Sequence, residues 1–271
     1  MNTSLFPESG ILPAMPPVAI LAGGLATRLL PMTAGLPKSM VPVAGEPFLA
    51  HQLRLLSRQG FRQIVLCVGH LGEQIEAFVG DGAGFGCGVG YSYDGVRPLG
   101  TGGAIRQALP LLGEHFAVLY GDSYLPAPLL PAFRAFATSG KAALMTIFHN
   151  HGRFDRSNIE FRAGQIVRYE KRQTALHTGH GMEHIDYGFS FYSAAAFLQC
   201  SPSPPFDLSE VQQTLIARQA MAAWEVTERF YEIGSPQGLR ETEDYLRSQS
   251  PAQDRRSHRG RAEYVLPGVP V

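Results

Sequence analysis

From Val18 onward the chain alternates short apolar runs with amphipathic stretches, and that alternation restricts it to few architectures. Residues 18–21, 64–68, 116–120 and 142–148 are predominantly apolar runs of strand length, and the first three read as strands of a parallel sheet covered on both faces. Between them, residues 47–59 place Phe48, Leu49, Gln52, Leu53 and Leu56 on one helical face and stop at Gly60. Residues 72–79 and 101–109 read as shorter helices. Strand, helix, strand, helix is the pattern of a doubly wound α/β sheet.

After residue 150 the pattern loosens. Residues 159–161 and 165–169, joined through Ala163-Gly164, read as a hairpin and 185–192 as a further strand, so this half is expected to add mixed or antiparallel strands to the same sheet. Helical spacing returns at 194–199, at 208–219 behind an Asp207 cap, and at 236–247, opened by Ser235-Pro236. Trp224, in the run 222–226, reads as an edge-strand or core residue. Residues 1–16 are expected to be a loose N-terminal extension, 17–248 the folded domain, and 249–271 a solvated tail.

Composition removes several classes. Hydrophobic residues at 45% and charged residues at 17% fit a packed protein, and 23 Lys and Arg against 23 Asp and Glu leave no overall field for nucleic acid or an anionic membrane. Any positive charge that matters must be local. No apolar run approaches the roughly 18 to 20 residues of a spanning helix, and the N-terminal stretch lacks a basic, then apolar, leader. Cys67, Cys87 and Cys200 form no CxxC pair and fit a reducing compartment, so a cytoplasmic location is expected; a homo-oligomer is left open.

The most informative stretch follows the first strand: Leu21-Ala22-Gly23-Gly24, then Arg28, Pro31, Thr33, Pro37-Lys38-Ser39-Met40 and Pro42-Val43-Ala44-Gly45. A strand ending in Gly23-Gly24 lets backbone N–H groups approach a ligand with no Cβ in the way, and Arg28 and Lys38 follow closely, which makes a cradle for a polyphosphate. The stretch is neither GxxxxGK[ST] nor GxGxxG, which demotes kinase-type P-loops and dinucleotide folds. An isolated Gly-Gly is more often a tight strand-to-loop turn; the two cations at these spacings favour the cradle.

LAGGLATRLLPMTAGLPKSMVPVAGEPF resembles the signature of the sugar-1-phosphate nucleotidylyltransferases, usually LAGGxGTRLxPxTxxxPKxxxPVxGxPF. The likeness continues through Gly69-His70, Pro98-Leu99-Gly100-Thr101-Gly102-Gly103-Ala104, Gly121-Asp122, Glu170-Lys171, Gly188 and Glu232-Ile233-Gly234-Ser235-Pro236, over roughly residues 17–247 in family order. Two positions depart. Ala26 stands where the family usually has Gly, and Glu232 stands where it has the Asp of a late D-[IV]-G-[TS]-P motif. The resemblance implies a Rossmann-like three-layer α/β nucleotidyltransferase fold with a mixed central sheet and a smaller sugar-binding lobe. It also implies that an NTP and a sugar 1-phosphate are the partners, giving an NDP-sugar and pyrophosphate with Mg²⁺. LGTGGAI and the short length look most like the heptose or mannose 1-phosphate guanylyltransferases. Uridylyl transfer to a hexose or amino-sugar phosphate is the close alternative. A catalytically silent regulator that binds nucleotide sugars is a third reading, favoured by Ala26 and Glu232 and opposed by Arg28, Lys38, Asp122 and Lys171.

In-line attack by a sugar phosphate needs no catalytic base, because a phosphate monoester with a second pKa of about 6 is already largely dianionic at neutral pH. The protein's tasks are positioning and charge stabilisation. By resemblance, Arg28 contacts the triphosphate and steadies the departing pyrophosphate, and Lys38 stands beside the α-phosphate and the incoming sugar phosphate. Leu21, Ala22, Gly23 and Gly24 line the nucleotide, while Gly102 and Gly103 let base and ribose lie close to the chain. Asp122, at the carboxyl end of a buried strand, resembles the magnesium ligand. Glu232 is its expected partner, reaching the ion only if its backbone retreats by about one methylene or a water intervenes. Lys171 counters the sugar's phosphate, Glu170 reaches its hydroxyls, Gly188 packs against the sugar, and Asp186 binds a hydroxyl.

His177, His180 and His184 with Glu183 superficially have metal-ligand spacing, but Gly179 and Gly181 between them make a loop, read as a flexible lid over the sugar site rather than a zinc site. His149-Asn150-His151 reads as a loop without a role. No GxSxG or HExxH motif supports a hydrolase, and an NAD-binding reading lacks GxGxxG with its acidic partner.

Overall fold

The computed structural model describes residues 14–24, 35–171 and 181–249. In chain order its first half comprises β1 (Val18–Leu21), β2 (Pro42–Val43), β3 (Glu46–Pro47), α1 (Phe48–Arg58), β4 (Gln63–Val68), α2 (Gly72–Val79), β5 (Gly88–Tyr93), α3 (Gly100–Leu112), β6 (His115–Tyr120), β7 (Ser123–Tyr124) and α4 (Leu130–Thr138). The second half comprises β8 (Ala143–His149), β9 (Ile159–Arg162), β10 (Gln165–Tyr169), β11 (His184–Ser193), α5 (Ala194–Cys200), α6 (Leu208–Ala217), β12 (Met221–Val226), β13 (Tyr231–Glu232) and α7 (Pro236–Gln249).

β1 is the axis of a nine-stranded mixed sheet. It runs parallel to β4 on one side, with Leu21 opposite Cys67, and to β6 on the other, with Leu21 opposite Tyr120. β5 continues the parallel half beyond β4. On the other side β11 runs antiparallel to β6 and to β8, and β12 closes that edge parallel to β8. The β9–β10 hairpin joins where Ile159 meets His184 at the start of β11. The chain lays β4 and β5 to one side of β1, then crosses back through α3 to set β6 on the other, so the strand order reverses between β1 and β6. Open α/β sheets bind ligands beyond the carboxyl ends of their strands at such a reversal. Gly23-Gly24 and Asp122 stand there.

The strand sequences fix which side chains face which helices. Val18 and Ile20 of β1, with Ile64, Leu66 and Val68 of β4, pack into a core with α1, α2 and α4; Ala19, Val65, Cys67, Phe116 and Val118 point the other way, into a core with α3, α5 and α6. α1 buries Phe48, Leu49, Gln52, Leu53 and Leu56, the face read from its spacing, and Gly60 follows it with φ +92°. Asp207 caps α6 in a full capping box with Glu210. A third small core of Val41, Val43, Phe48, Tyr124, Ile233 and Leu246 seats α7 beside the β7–β13 ribbon.

Three features differ from the sequence reading. α3 runs past Pro110 to Leu112, because Ile105, Ala108 and Leu112 on one fully buried face outweigh the single hydrogen bond a proline removes. α4 was not expected; Pro131 falls in its first turn, where no N–H is required. β5 escaped notice because Gly88 and Gly90 interrupt its apolar pattern, leaving Val89, Tyr91 and Tyr93 to alternate across an edge strand.

The ends of β1 and β6 meet backbone to backbone: a methyl at Gly121 would overlap the Leu21 carbonyl and sit 3.2 Å from Ala22 Cα. Gly121→Ala is therefore expected to lower the unfolding free energy by about 1–3 kcal/mol. Gly24→Ala, where no described atom lies within 4 Å of the added methyl, should leave it within about 0.5 kcal/mol. Urea melts of the two variants check this; equal midpoints would show that the strand ends are not held in contact.

Candidate active site

Lys38 opens a short 3₁₀ turn, Lys38–Met40, and its backbone N–H donates to Gly24 O at 3.3 Å, which ties the turn to the end of β1. Its Nζ lies 2.6 Å from Asp122 Oδ2. Asp122 follows β6 through Gly121, and the segment is braced from beneath: Gln52 on α1, 1% exposed, donates through Nε2 to Tyr120 O at 3.1 Å and Ser123 O at 2.8 Å. Sequence spacing placed Gln52 on the buried face of its helix but could not show that it supports the Asp122 turn.

Glu232 enters from β13, which pairs it with Ser123. Its carboxylate folds back onto the loop before α7, accepting the Gly234 N–H and the Ser235 hydroxyl, the latter at 2.6 Å. A methyl placed on Gly234 would lie 2.7 Å from Glu232 Oε2, 3.1 Å from Lys38 Nζ and 3.7 Å from Asp122 Oδ2. Two carboxylates and an ammonium group thus surround one glycine, although they come from three distant parts of the chain.

The glycine loop is partly used by the fold itself. Ala22 N–H donates to Cys67 O at 2.9 Å, and Leu21 is paired on both sides within the sheet, so these two residues shape the cradle without turning their amides toward it. Gly23 packs 3.2 Å, measured from a built Cβ, against Gly69 N, while Gly24 faces open space among the described residues. Arg28 and Ala26 lie outside the described residues, as do His177 and His180.

Gly102 and Gly103 stand at the start of α3, and the close approach they permit is that of the 204–206 segment. The Gly102 and Gly103 N–H groups both point to Phe206 O, at 3.1 and 3.4 Å, and a methyl on Gly102 would overlap the Phe206 ring. Lys171 is paired with Asp207, its Nζ 2.9 Å from both carboxylate oxygens and 5.3 Å from the centre of the Tyr120 ring. It does not pair with its neighbour Glu170, whose carboxylate lies 3.7 Å from Arg168. Burial works to raise the Asp207 pKa, but Lys171 and the Ser209 N–H outweigh it and hold the carboxyl below its ordinary range.

Asp186 and Gly188 lie where β11 has parted from β6. Asp186 Oδ1 accepts the Gly188 N–H at 2.9 Å and Oδ2 accepts the Tyr169 hydroxyl at 3.2 Å, so the carboxylate fixes the Gly188 turn, at φ +98°. A methyl on Gly188 would meet Ser123 Oγ at 3.3 Å, and Ser123 Oγ donates to Asp122 Oδ1 at 3.3 Å. The two halves of the site are therefore in contact through Ser123, a residue that sequence reading passed over.

His149, expected in the loop 149–151, is instead the last residue of β8, while residues 150 and 151 lie in a turn as expected; the His149 ring stacks on His184 with centroids 4.6 Å apart and planes 9° apart. His184 begins β11 rather than lying in a loop with Glu183. Burial lowers its pKa, against the opposing charge of Glu225.

The sequence profile of the nucleotidyl transferase family matches residues 18–156, just over half of the chain. The chain belongs to the nucleotidyl transferase family. It is 40% identical over 116 residues to an N-acetylmuramate alpha-1-phosphate uridylyltransferase of Neisseria meningitidis serogroup B, covering 42% of this chain and 50% of that protein. It is 32% identical over 155 residues to a D-glycero-alpha-D-manno-heptose 1-phosphate guanylyltransferase of Aneurinibacillus thermoaerophilus, covering 56% of this chain and 66% of that one. The chain thus spans half to about two thirds of the length of these curated relatives. In fold it is similar to HddC from Yersinia pseudotuberculosis, solved with GMP-PN, at a TM-score of 0.68 and 23% identity over 86% of this chain and all of that one. The family's α/β fold with a mixed central sheet is the one described above. Among the described residues no helix is long and apolar enough to cross a membrane.

Burial raises the Asp186 pKa, opposed by the Gly188 N–H, Lys171 and Tyr169. A carboxyl whose folded pKa lies above its unfolded value carries a stability cost once pH exceeds the folded pKa, and none below the unfolded value of about 3.9. Asp186→Asn should therefore gain stability relative to wild type as pH rises from about 4 to about 8. Denaturant melts at the two pH values check it; a gap that does not widen with pH would show that Asp186 is not buried as a charge.

Proposed function

We propose that this chain transfers a nucleotidyl group from an NTP to a sugar 1-phosphate, forming an NDP-sugar and pyrophosphate. The observation that carries the reading is the convergence of Lys38, Asp122 and Glu232 on Gly234, beside Gly23-Gly24 and at the reversal point of the sheet. The reaction brings two polyanions together, and here the fold sets an ammonium group and two carboxylates around one glycine.

Lys38 is assigned to the α-phosphate and the incoming sugar phosphate, and Arg28 to the triphosphate and the departing pyrophosphate. Gly23 and Gly24 supply the backbone approach to the phosphates. Asp122 and Glu232 offer only carboxylate oxygens, the hard donor set that suits Mg²⁺, and they would hold the ion that neutralises developing phosphate charge when bound. Lys171 is assigned to the sugar phosphate, exchanging its Asp207 partner for that anion, while Glu170 serves the sugar hydroxyls. Asp186 contributes through the Gly188 backbone it holds, and Gly102 and Gly103 through the Phe206 segment packed on them beside the nucleotide.

Guanylyl transfer to a heptose or mannose 1-phosphate is the first choice, supported by LGTGGAI and by the heptose 1-phosphate guanylyltransferase among the relatives. Uridylyl transfer to an amino-sugar phosphate has its own support in the 40% identity shared with the N-acetylmuramate 1-phosphate enzyme. A cytoplasmic site of action is proposed on the three unpaired, buried cysteines.

Pyrophosphate release from a panel of NTPs and sugar 1-phosphates, with Mg²⁺, tests the reading. One NTP and sugar phosphate pair should turn over; nucleotide binding without release for any pair would favour a silent nucleotide-sugar-binding regulator. Lys38→Ala and Arg28→Ala should each reduce kcat/KM by at least about a hundredfold, since each removes a transition-state contact of a few kcal/mol. Losses of less than about threefold would mean that the site has been misplaced.

A further inference from the structure

We propose that His149, His184 and Glu225 form a second cation site, for a divalent transition metal of the zinc class, at the end of the β8–β11–β12 half of the sheet. Strand register builds it. β8 and β11 set His149 directly opposite His184, and β12 sets Glu225 opposite Ile147, two residues from His149 and on the same face. Each residue contributes one ligand atom, and the three atoms lie within 4.8 Å of one another.

Two of the ring nitrogens lack hydrogen bonds among the described residues. The His184 side chain is 9% exposed, and its Nδ1 is buried with no hydrogen bond among the described residues; His149 Nε2 is buried in the same condition. A buried imidazole nitrogen without a hydrogen bond carries an uncompensated desolvation penalty, which a cation bound at His149 Nε2 removes, while His184 offers Nε2, the nitrogen that faces Glu225. Metal–ligand distances of about 2.0–2.1 Å place ligand atoms about 3.3 Å apart around a tetrahedral ion. His184 Nε2 and Glu225 Oε1 already stand 3.4 Å apart. Glu225 is exposed and His149 half-buried, so rotation of these two side chains completes the contraction. Glu183, whose Oε2 lies 3.4 Å from His149 Nε2, or water fills the fourth position.

Two imidazoles and a carboxylate suit Zn²⁺, Ni²⁺ or Co²⁺ and disfavour Mg²⁺, which takes oxygen donors. This site therefore differs in chemistry from the Asp122–Glu232 pair and does not depend on the proposed transfer reaction. Ligands from three strands would pin the start of β11, two residues before Asp186, so binding should be read out as stability.

The test uses the full chain without a histidine tag, stripped with chelator and titrated with Zn²⁺, and separately with Co²⁺, in excess Mg²⁺ to fill oxygen-only sites. About one equivalent of Zn²⁺ should bind and raise Tm, and Co²⁺ should give the visible bands of a nitrogen-containing site of low coordination number. The double substitution His149→Gln with Glu225→Gln should weaken Zn²⁺ binding by more than about a hundredfold. Its Tm in chelator should match that of wild type, which separates loss of the metal from misfolding. Asp122→Asn should leave Zn²⁺ binding intact. Zn²⁺ binding that is absent from wild type, equally tight in the double variant, or lost in Asp122→Asn would overturn the proposal.

Discussion

The contact between the ends of β1 and β6 sets the position of everything else in the candidate site. Because residue 121 has no side chain, the β6 backbone can close on the Leu21 carbonyl, and the two turns leaving these strands emerge side by side. One turn continues into Gly23-Gly24 and returns as Lys38; the other carries Asp122 and Ser123. The 2.6 Å Lys38–Asp122 pair is a consequence of that closure, as is the reach of Ser123 toward Gly188. Gln52 holds the same segment from the helix layer, so the turn is fixed from both sides.

Both described cations assigned to phosphate are held by carboxylates: Lys38 by Asp122 and Lys171 by Asp207. Such pairing keeps each ammonium group in place without burying an isolated charge, which would be far more costly. It also sets a threshold. An arriving anion must compete with a carboxylate that is already in position. Asp207 can release Lys171 without the helix losing its cap, because the Ser209 N–H still donates to it at 2.9 Å.

How much of this was legible in the sequence depends on the range over which each feature is encoded. The strands of the parallel core, α1, α2 and the Asp207 cap were readable because period, cap and stop signal lie within a dozen residues of one another. β5 and α4 were not, since an edge strand punctuated by glycine and a helix opened by proline both resemble loops locally. At the site, residue types at Lys38, Asp122 and Lys171 could be read from the motifs, but their partners could not. Nothing near residue 171 announces that Asp207 is its counter-ion, and the LGTGGA glycines do not reveal that Phe206 packs on them. The histidines show the same limit. Their sequence spacing grouped His184 with His177 and His180 in a loop, whereas strand register brings His184 to His149 and Glu225.

Glu232 shows how the chain accommodates a residue that departs from its family's pattern. With one methylene more than aspartate, the side chain is expected to reach a bound Mg²⁺ only through a backbone retreat or an intervening water. The arm curls, its two oxygens taken by the Gly234 N–H and the Ser235 hydroxyl, alongside the strand pairing with Ser123. The room for that curl comes from two glycines: a methyl on Gly238 would overlap Glu232 Oε1, and one on Gly234 would sit 2.7 Å from Oε2. Ser235 in turn accepts the Gly238 N–H at 2.9 Å, so the carboxylate, the hydroxyl and the first turn of α7 form one hydrogen-bonded unit. Glu232, Gly234, Ser235 and Gly238 therefore act as a set, in which the longer side chain fits beside Lys38 and Asp122 because two neighbouring positions give up their side chains.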